Sequence, residues 1–268
     1  MITLSSDFGS PYPAAMKGAV LQRTDARIVD VSHEFPRQDV RAAAFWLREV
    51  LPYFPPAVHC VVVDPGVGTD RAALAVRAGD HALVGPDNGV LVPVARELAA
   101  EGGGSDGADD ERDRGGFEVF DVAYADPASV TFHGRDVFAP AAAEVHEAGV
   151  DAFERRERFS PAAAFVDLTF PDPVVESSHA RGEVLVVDDF GNSVTNVPGT
   201  VLDGSWGGTV AVNGGRAPAR RTYAAVDPGE RLVTVGSHGN VEFAVNRGRG
   251  DEAFGVATGD AVELCFDG

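Results

Sequence analysis

Apolar and polar positions follow two different patterns along the chain, and the change comes near residue 170. Before it, short apolar runs alternate with segments of helical periodicity, of which Val40–Leu51 is the clearest. Strands are predicted in this part at Ile2–Ser5, Ile28–Val31, Val58–Val63 and Ala82–Val84. The alternation is typical of an α/β domain, here with a mixed, largely parallel sheet and flanking helices.

The predicted strand that begins at Val58 leads directly into a candidate site. Its last residues, from Val61 to Val63, form an uninterrupted β-branched run, as in strands that are buried on both faces. Asp64, Pro65 and Gly66 follow at once. Asp64 is therefore expected at the carboxyl edge of the sheet, where loops converge and ligands bind.

From Gly182 onward helical periodicity disappears, and strand-like runs follow one another at short intervals. The predicted strands are Val184–Val187, Thr209–Val212, Arg231–Val235, Val241–Val245 and Ala261–Phe266. This pattern predicts a small all-β barrel. The predicted organisation is an α/β catalytic domain over 1–170, a linker over 171–179 in which Pro171 and Pro173 oppose regular structure, and the barrel over 180–268.

Residues 101–116 (EGGGSDGADDERDRGG) interrupt the α/β pattern. They are rich in glycine and charge and have no apolar periodicity, so they bury too little surface to offset the entropy of ordering. We expect a flexible acidic insert on the surface, outside every candidate site.

The excess of acidic residues limits the kinds of partner that the protein is expected to bind. The formal net charge is −19, from 41 acidic and 22 basic residues, and Lys17 is the one lysine. Such a surface repels nucleic acid and anionic membranes, so neither is an expected partner. Molar salt shortens the Debye length to about 3 Å and screens the self-repulsion, which favours a halophilic protein over an ordinary acidic one.

Location and redox state are expected from simpler signals. The chain enters a strand pattern at Ile2 without a basic and apolar leader, and no apolar run reaches membrane-spanning length, so a cytoplasmic location is expected. Cys60 and Cys265 each lie in an apolar run that predicts a buried strand, where reduced cysteine acts as a small hydrophobe.

Several common motifs are absent or out of place. Asp7-Phe8-Gly9 has no preceding chain to hold a kinase glycine loop and lysine, and Gly66-Val67-Gly68 lacks the third glycine of a dinucleotide fingerprint. No Cys or His pair has zinc spacing. A hard metal held by Asp64, Asp87 and His133 stays open as an alternative, although we expect no metal and no cofactor.

Polar side chains at glycine-permitted turns are typical of sites rather than cores. Such segments occur at Ser6–Gly9, Asp64–Arg71, Gly85–Gly89, Thr131–Asp136 and Asp188–Asn192. Each also has a structural explanation: Asp7 or Asp136 as a helix N-cap, Pro86–Gly89 as a tight turn, His133 as a core histidine, and Asp64 with Arg71 as a salt bridge bracing a loop.

Taken together and in this order, these segments resemble the S-adenosylmethionine-dependent chlorinases and fluorinases and their relatives, the hydroxide adenosyltransferases. The resemblance runs from Ser6–Gly9 to Gly236–Gly239 and Glu242–Asn246. It implies an N-terminal α/β domain, a C-terminal β-barrel, and a homotrimer whose active sites lie between the first domain of one subunit and the second domain of a neighbour.

The resemblance also implies roles for individual residues. Asp7 matches the carboxylate that accepts both ribose hydroxyls, and Asn192 the amide that reads adenine. The methionine end is assigned to Asp188 and Ser237, with Glu242 and Val245 also in the predicted substrate site. His238 stands where the family often has a bulkier polar residue, so recognition of the carboxylate departs from the common pattern.

The choice of nucleophile depends on Asp64, Arg71 and His133, which match the Asp, Arg and His of the hydroxide-using branch. Water has a pKa of about 15.7, so its full deprotonation at pH 7 costs roughly 12 kcal/mol and it needs a base. Asp64 or His133 can take the proton, and Arg71 can hold the developing hydroxide. An ionised Asp64 about 4 Å from a halide would repel it by about 4 kcal/mol.

Two further positions bear on the same choice. The fluorinases carry tyrosine at the positions of Asp64 and His133, and serine where this chain has Gly134. We therefore predict hydrolysis of S-adenosylmethionine to adenosine and L-methionine, with the (R)-sulfonium epimer as an open substrate. A chlorinase and a non-catalytic adenosine or S-adenosylmethionine sensor are the alternatives.

Overall fold

The computed structural model describes residues 1–102, 116–124, 129 and 131–266. Within these residues the chain divides into two compact units, Met1–Thr169 and Phe170–Gly268. Residues 103–115 of the predicted insert lie outside the described residues, and Glu101 and Gly102 form the end of a helix.

The first unit is built on a seven-stranded mixed sheet. Its strands are β1 (Ile2–Ser6), β2 (Ile28–Ser32), β3 (Val58–Val62), β4 (Ala73–Ala78), β5 (His81–Pro86), β6 (Phe117–Val122) and β7 (Phe159–Pro161). Their order is β2-β1-β3-β5-β4-β6-β7. The pairs among β2, β1, β3 and β5 are parallel, and β4, β6 and β7 extend the sheet in antiparallel fashion. The predicted mixed α/β sheet is confirmed.

Helices flank this sheet. In the described residues they are α1 (Tyr12–Leu21), α2 (Val40–Val50), α3 (Val92–Gly102) and α4 (Ala139–Ala148). The start of α2 is fixed by Asp39, whose carboxylate accepts the backbone N–H of Ala42 at 2.9 Å. α1 packs with α4, and α2 packs with α3. Apolar side chains of α1 and α4, including Met16 and Val145, cover one face of β1 and β3.

The central strand β3 behaves as its sequence predicts. Val61 and Val63 are fully buried, and Val62 is nearly so. The strand ends at Val62, so Asp64 lies at its carboxyl end beside the corresponding end of β1. The polar segments that follow β1 and β3 therefore leave the sheet at one edge.

The second unit is a nearly closed antiparallel barrel, as predicted. Its strands are β8 (Val174–Val175), β9 (His179–Val187), β10 (Ser193–Pro198), β11 (Thr209–Val212), β12 (Gly215–Pro218), β13 (Arg231–Val235), β14 (Asn240–Val245) and β15 (Ala261–Phe266). The order is β12-β11-β15-β9-β10-β14-β13, with β8 paired to β9. A bridge between Ala219 and Val233 joins the two ends of this order, and Phe243 lies in the core.

Three details differ from the sequence predictions. The interval 171–179 contains β8, because strand pairing begins directly after Pro173. A five-residue helix, α5 (Gly250–Phe254), stands within the predicted all-β part, and its Phe254 stacks on Phe243. Cys265 is exposed, since β15 turns that side chain outward, whereas burial raises the pKa of the Cys60 thiol to about 12. No helix in the described part of the chain is long and apolar enough to cross a membrane.

Candidate active site

Asp64 begins a turn that immediately follows β3, and it lies almost entirely out of solvent. Its side chain is 5% exposed. Its Oδ1 accepts the backbone N–H of Gly66 at 3.0 Å and lies 3.2 Å from Nη1 of Arg71. The loop from Asp64 to Arg71 therefore folds back so that its two ends meet as an ion pair.

Gly66 allows this return because it has no side chain. A Cβ at Gly66 would lie 2.6 Å from the central guanidinium carbon of Arg71. The guanidinium thus lies directly over the turn. Its Nη1 is buried and, within the described residues, forms no hydrogen bond, because the contact with Asp64 is close but poorly aligned. Arg71 therefore keeps one donor for a ligand.

His133 lies at the start of the π-helical turn Gly134–Phe138, which leads into α4. It is 7% exposed, and its ring packs against Tyr124 at 5.7 Å and Phe138 at 6.5 Å between centroids. In the described part of the chain no hydrogen bond is found to its ring, so it differs from a hydrogen-bonded core histidine. The charge of His133 lowers the pKa of the Asp64 carboxyl group.

The environment of Asp64 raises the pKa of its carboxyl group. Burial is the largest cause, and the negative charge of Asp7 acts in the same direction. The N–H of Gly66 and the charges of Arg71 and His133 lower it, but they do not outweigh burial. Asp64, Arg71, His133 and Asp7 thus form one electrostatic group, and Asp64 is a stronger base than an exposed aspartate.

Tyr124 was not predicted from the sequence, yet it contacts two members of this group. Its hydroxyl donates to the backbone carbonyl of Arg71 at 3.2 Å, and its ring packs against His133. With Arg71, Asp121 and Ser160 it lines an open cleft of about 400 Å³. No local pattern indicates this contact, because Tyr124 and Arg71 are 53 residues apart and meet only through the pairing of β4 with β6.

Asp7 follows β1, and its Oδ2 accepts the backbone N–H of Gln38 at 2.7 Å. It does not cap α1, because Pro11 occupies the N-cap position. Asp136 does not cap α4, since its carboxylate accepts the N–H of Ser129 and pairs with Arg135. The N-cap explanation therefore fails for both aspartates.

The segment Gly85–Gly89 has a structural role. Asn88 donates from its side chain to the carbonyl of Val63 at 2.8 Å and so fixes the strand end that precedes Asp64. Asp87 accepts the N–H of Val166 at 2.7 Å. No group of three or more His, Cys, Asp or Glu side chains suited to a metal is found among the described residues, so the alternative of a metal at Asp64, Asp87 and His133 has no support there.

In the second unit, Asp188 and Asn192 hold each other across the turn between β9 and β10. The backbone N–H and the side-chain amide of Asn192 donate to the two carboxylate oxygens of Asp188, at 2.8 and 2.9 Å. Asn192 is 7% exposed, and its amide oxygen is left as an acceptor. The pair presents an amide and a carboxylate at one turn.

Glu242 is the centre of a second cluster in this unit. Its Oε1 accepts the hydroxyl of Tyr223 at 2.5 Å, and its Oε2 lies 3.6 Å from Nε2 of His238. Because Nδ1 of His238 accepts the N–H of Asn240 at 3.3 Å, the proton of the neutral ring is on Nε2 and faces the carboxylate. Burial, followed by the hydrogen bond to Glu242, raises the pKa of Tyr223, and the charge of Asp188 adds to this.

The remaining predicted residues lie at the two ends of the hairpin strand β14. Ser237 is exposed on the turn that precedes β14, and Val245 is the last residue of the strand and buried. Tyr223 was missed by sequence reasoning, because it lies in a short helical turn whose contact with Glu242 depends on the closed barrel.

Comparison with known protein families gives one match in each of the two units of the chain. Residues 2–155 match the SAM hydroxide adenosyltransferase N-terminal domain, and residues 182–263 match the C-terminal domain of the same family. The chain belongs to the SAM hydroxide adenosyltransferase family.

Relatives match over their full length. A protein named (R)-S-adenosyl-L-methionine hydrolase from Salinispora tropica is 40% identical over 268 residues, which covers 98% of this chain and 97% of the relative. A protein of the same name from Thermus thermophilus is also 40% identical, with 97% of each chain covered.

Solved structures agree with the fold as well. An uncharacterized conserved protein from Thermotoga maritima has a TM-score of 0.80 at 33% identity and covers 99% of this chain and 100% of its own. A conserved hypothetical protein from Thermus thermophilus has a TM-score of 0.73 at 36% identity, with 98% of each chain covered.

Proposed function

We propose that the protein hydrolyses S-adenosyl-L-methionine to adenosine and L-methionine by attack of water at the ribose C5′ carbon. The observation that carries the proposal is a buried Asp64 whose pKa is raised by its surroundings. With it lie Nη1 of Arg71, which is buried and forms no hydrogen bond within the described residues, and His133, whose charge acts on Asp64. The full-length relatives named (R)-S-adenosyl-L-methionine hydrolase support it.

The substrate itself supplies an activated leaving group. A bond forms between the water oxygen and C5′ while the bond from C5′ to the sulfonium sulfur breaks, and methionine leaves as a neutral thioether. No general acid is needed at the sulfur. The protein has to align the water with C5′, exclude other solvent and accept one proton.

Asp64 is the base in this proposal. Its raised pKa makes it a better proton acceptor. Nη1 of Arg71, which makes no hydrogen bond to any described residue, can donate to the oxygen as negative charge develops. The charge of His133 acts on Asp64, and in this proposal His133 is the second group that can take the proton. An ionised Asp64 also disfavours chloride, since a halide at about 4 Å would be repelled by about 4 kcal/mol.

The substrate contacts in the proposal follow the family resemblance. Asp7 accepts the ribose hydroxyls, and the amide oxygen of Asn192 accepts from the adenine amine. The methionine ammonium meets the carboxylates of Asp188 and Glu242, both of which retain acceptor capacity. Ser237 and Val245 complete the methionine end.

Three further properties belong to the proposal. The names of the relatives support the (R)-sulfonium epimer as the preferred substrate. The family resemblance supports a homotrimer with inter-subunit sites, in which case Asp64→Asn and Asn192→Ala subunits, each inactive alone, regain activity when they are refolded together. The net charge of −19 supports a salt-rich cytoplasm, in which case the melting temperature rises with added KCl.

Product analysis tests the proposed reaction. The protein is incubated with each sulfonium epimer in molar potassium chloride and, separately, in potassium acetate, with Asp64→Asn as the control. Adenosine and methionine in both salts support hydrolysis. Chlorodeoxyadenosine that appears only in chloride would identify a chlorinase, and unchanged substrate with measurable binding would identify a sensor.

A further inference from the structure

A chain of hydrogen bonds connects Lys17 to the residue that precedes Asp7. Nζ of Lys17 donates to Oδ2 of Asp30 at 2.5 Å, and Oδ1 of Asp30 lies 3.0 Å from Nε2 of His33. Nδ1 of His33 lies 2.7 Å from the hydroxyl of Ser6. Lys17 is the one lysine of the sequence, among 22 basic residues.

The direction of these bonds follows from their chemistry. The ionised Asp30 only accepts, so Nε2 of His33 carries a proton and, in the neutral ring, Nδ1 accepts from Ser6. Burial alone would raise the pKa of Asp30, but the hydrogen bonds from Lys17 and His33 prevail and lower it. A lysine suits this position because its compact ammonium binds one oxygen of the Asp30 carboxylate and leaves the other oxygen for His33. The planar guanidinium of an arginine would tend to bind both oxygens.

Ser6, His33 and Asp30 are also the residue types of a nucleophilic triad, but this one has no access to substrate. Ser6 is fully buried within β1. A serine nucleophile needs its hydroxyl exposed to the substrate. The chain of hydrogen bonds therefore has a structural role: it fixes the loop that follows β2.

That loop is tied to the segment around Asp7 at several points. The carbonyl of His33 accepts the N–H of Gly9 at 3.0 Å, and the backbone N–H of Phe35 donates to the carbonyl of Ser6 at 3.4 Å. At its far end, Gln38 donates its backbone N–H to Oδ2 of Asp7. Gln38 has a φ of 62°, a conformation that side chains disfavour, so the contacts of the loop must maintain it.

We propose that Lys17, Asp30 and His33 are positioning residues that fix the loop from His33 to Gln38 and thereby orient the carboxylate of Asp7 for the ribose hydroxyls. This inference rests on the ribose role of Asp7 in the proposed function. The hydrogen bond from Gln38 fixes the rotation of the carboxylate. In the described residues no second donor reaches Asp7, which leaves its other oxygen as an acceptor for the ribose hydroxyls.

Binding of two nucleosides tests the inference without turnover. Calorimetry measures the affinity of adenosine and of 2′,3′-dideoxyadenosine, which lacks the hydroxyls, for the full-length protein and its variants. Lys17→Met should weaken adenosine binding about threefold, because the Lys17–Asp30 pair is exposed, and His33→Phe should weaken it about tenfold. Both variants should leave the binding of dideoxyadenosine unchanged. Arg23→Met is the matched control, because it removes an equal charge from the turn directly after α1 and should weaken neither ligand.

The outcomes separate a positioning role from a general defect. Equal weakening of both nucleosides would show that the variants merely lose structure, and unchanged adenosine affinity in both variants would also overturn the inference. With S-adenosylmethionine as substrate, Lys17→Met should raise KM and leave kcat unchanged. Wild-type protein that binds adenosine but produces no methionine would contradict the hydrolase proposal alone.

Discussion

Nη1 of Arg71 lies 3.2 Å from Oδ1 of Asp64 and yet forms no hydrogen bond in the described part of the structure. The pair has the proximity of a salt bridge without its usual alignment. A salt bridge whose only purpose is to brace a loop gains most when the donors point at the carboxylate. Nη1 of Arg71 is therefore better placed to donate to an oxygen other than those of the Asp64 carboxylate. In the proposed reaction this is the oxygen of the attacking water.

Replacement of Asp64 by asparagine tests the role of the base. Asparagine keeps the shape and can still accept the N–H of Gly66, but it cannot take a proton. We expect kcat to fall about 10²- to 10⁴-fold, the range that a general base contributes. Adenosine affinity from calorimetry should be unchanged, and a variant that keeps the wild-type rate would remove Asp64 from the mechanism.

The raised pKa of Asp64 predicts the acid side of the pH profile. Burial is its largest cause, and the base must be ionised, so kcat/KM falls as the pH falls through a pKa above that of an ordinary aspartate. A profile whose acid limb lies at the ordinary aspartate value would contradict this. Asp64→Glu, measured in the same buffers, should shift that limb.

The same pKa shift has a consequence for stability. A carboxyl group whose pKa is raised in the folded state stabilises the fold at low pH and loses that contribution as the pH rises through the folded pKa. Asp64→Asn stays neutral, so it should melt at a higher temperature than wild type at pH 7. The difference should vanish below about pH 3.9, where the group is neutral in both states. Equal melting temperatures of wild type and Asp64→Asn at pH 7 would show that the folded state does not disfavour the ionised carboxylate.

Gly66 should be intolerant of any side chain. A Cβ there would lie 2.6 Å from the central guanidinium carbon of Arg71, so Gly66→Ala must displace the guanidinium. We expect kcat/KM to fall about 10²-fold, since a displacement of about 1 Å in a catalytic group has this effect. Gly18→Ala is the control, because a Cβ at this α1 position meets open space. It should keep full activity and gain up to about 1 kcal/mol of stability.

Tyr124 should act through its hydroxyl. Tyr124→Phe keeps the ring against His133 but removes the hydrogen bond to the carbonyl of Arg71. We expect kcat to fall about 5- to 10-fold, which corresponds to one neutral hydrogen bond. Tyr124→Leu also removes the ring and should lower kcat further. A Tyr124→Phe variant with wild-type activity, beside a Tyr124→Leu variant with lowered activity, would assign the effect to the ring alone and contradict this prediction.

The parts that the sequence predicted are those with a local pattern. The β-branched run at Val61–Val63 marked a strand buried on both faces, and its end located Asp64 correctly at the sheet edge. β4 was missed because Ala73, Ala75 and Ala78 have little preference for strands. That strand forms because β5 and β6 pair with it on either side.

The parts of the site that were missed depend on partners far away in the chain. Tyr223 meets Glu242, and Tyr124 meets Arg71, only once their sheets have formed. The links from Lys17 to Ser6 and from Gln38 to Asp7 are equally non-local. Motif spacing identifies the candidate side chains of the site, whereas the groups that hold them follow only from the assembled fold.

The destination of the water oxygen tests the central claim most directly. The protein is incubated with S-adenosylmethionine in water enriched in oxygen-18, and both products are analysed by mass spectrometry. Attack at C5′ predicts the heavy isotope in the 5′-hydroxyl of adenosine and none in methionine. Adenosine that carries only ordinary oxygen, or a nucleoside that carries chlorine in its place, would contradict the account.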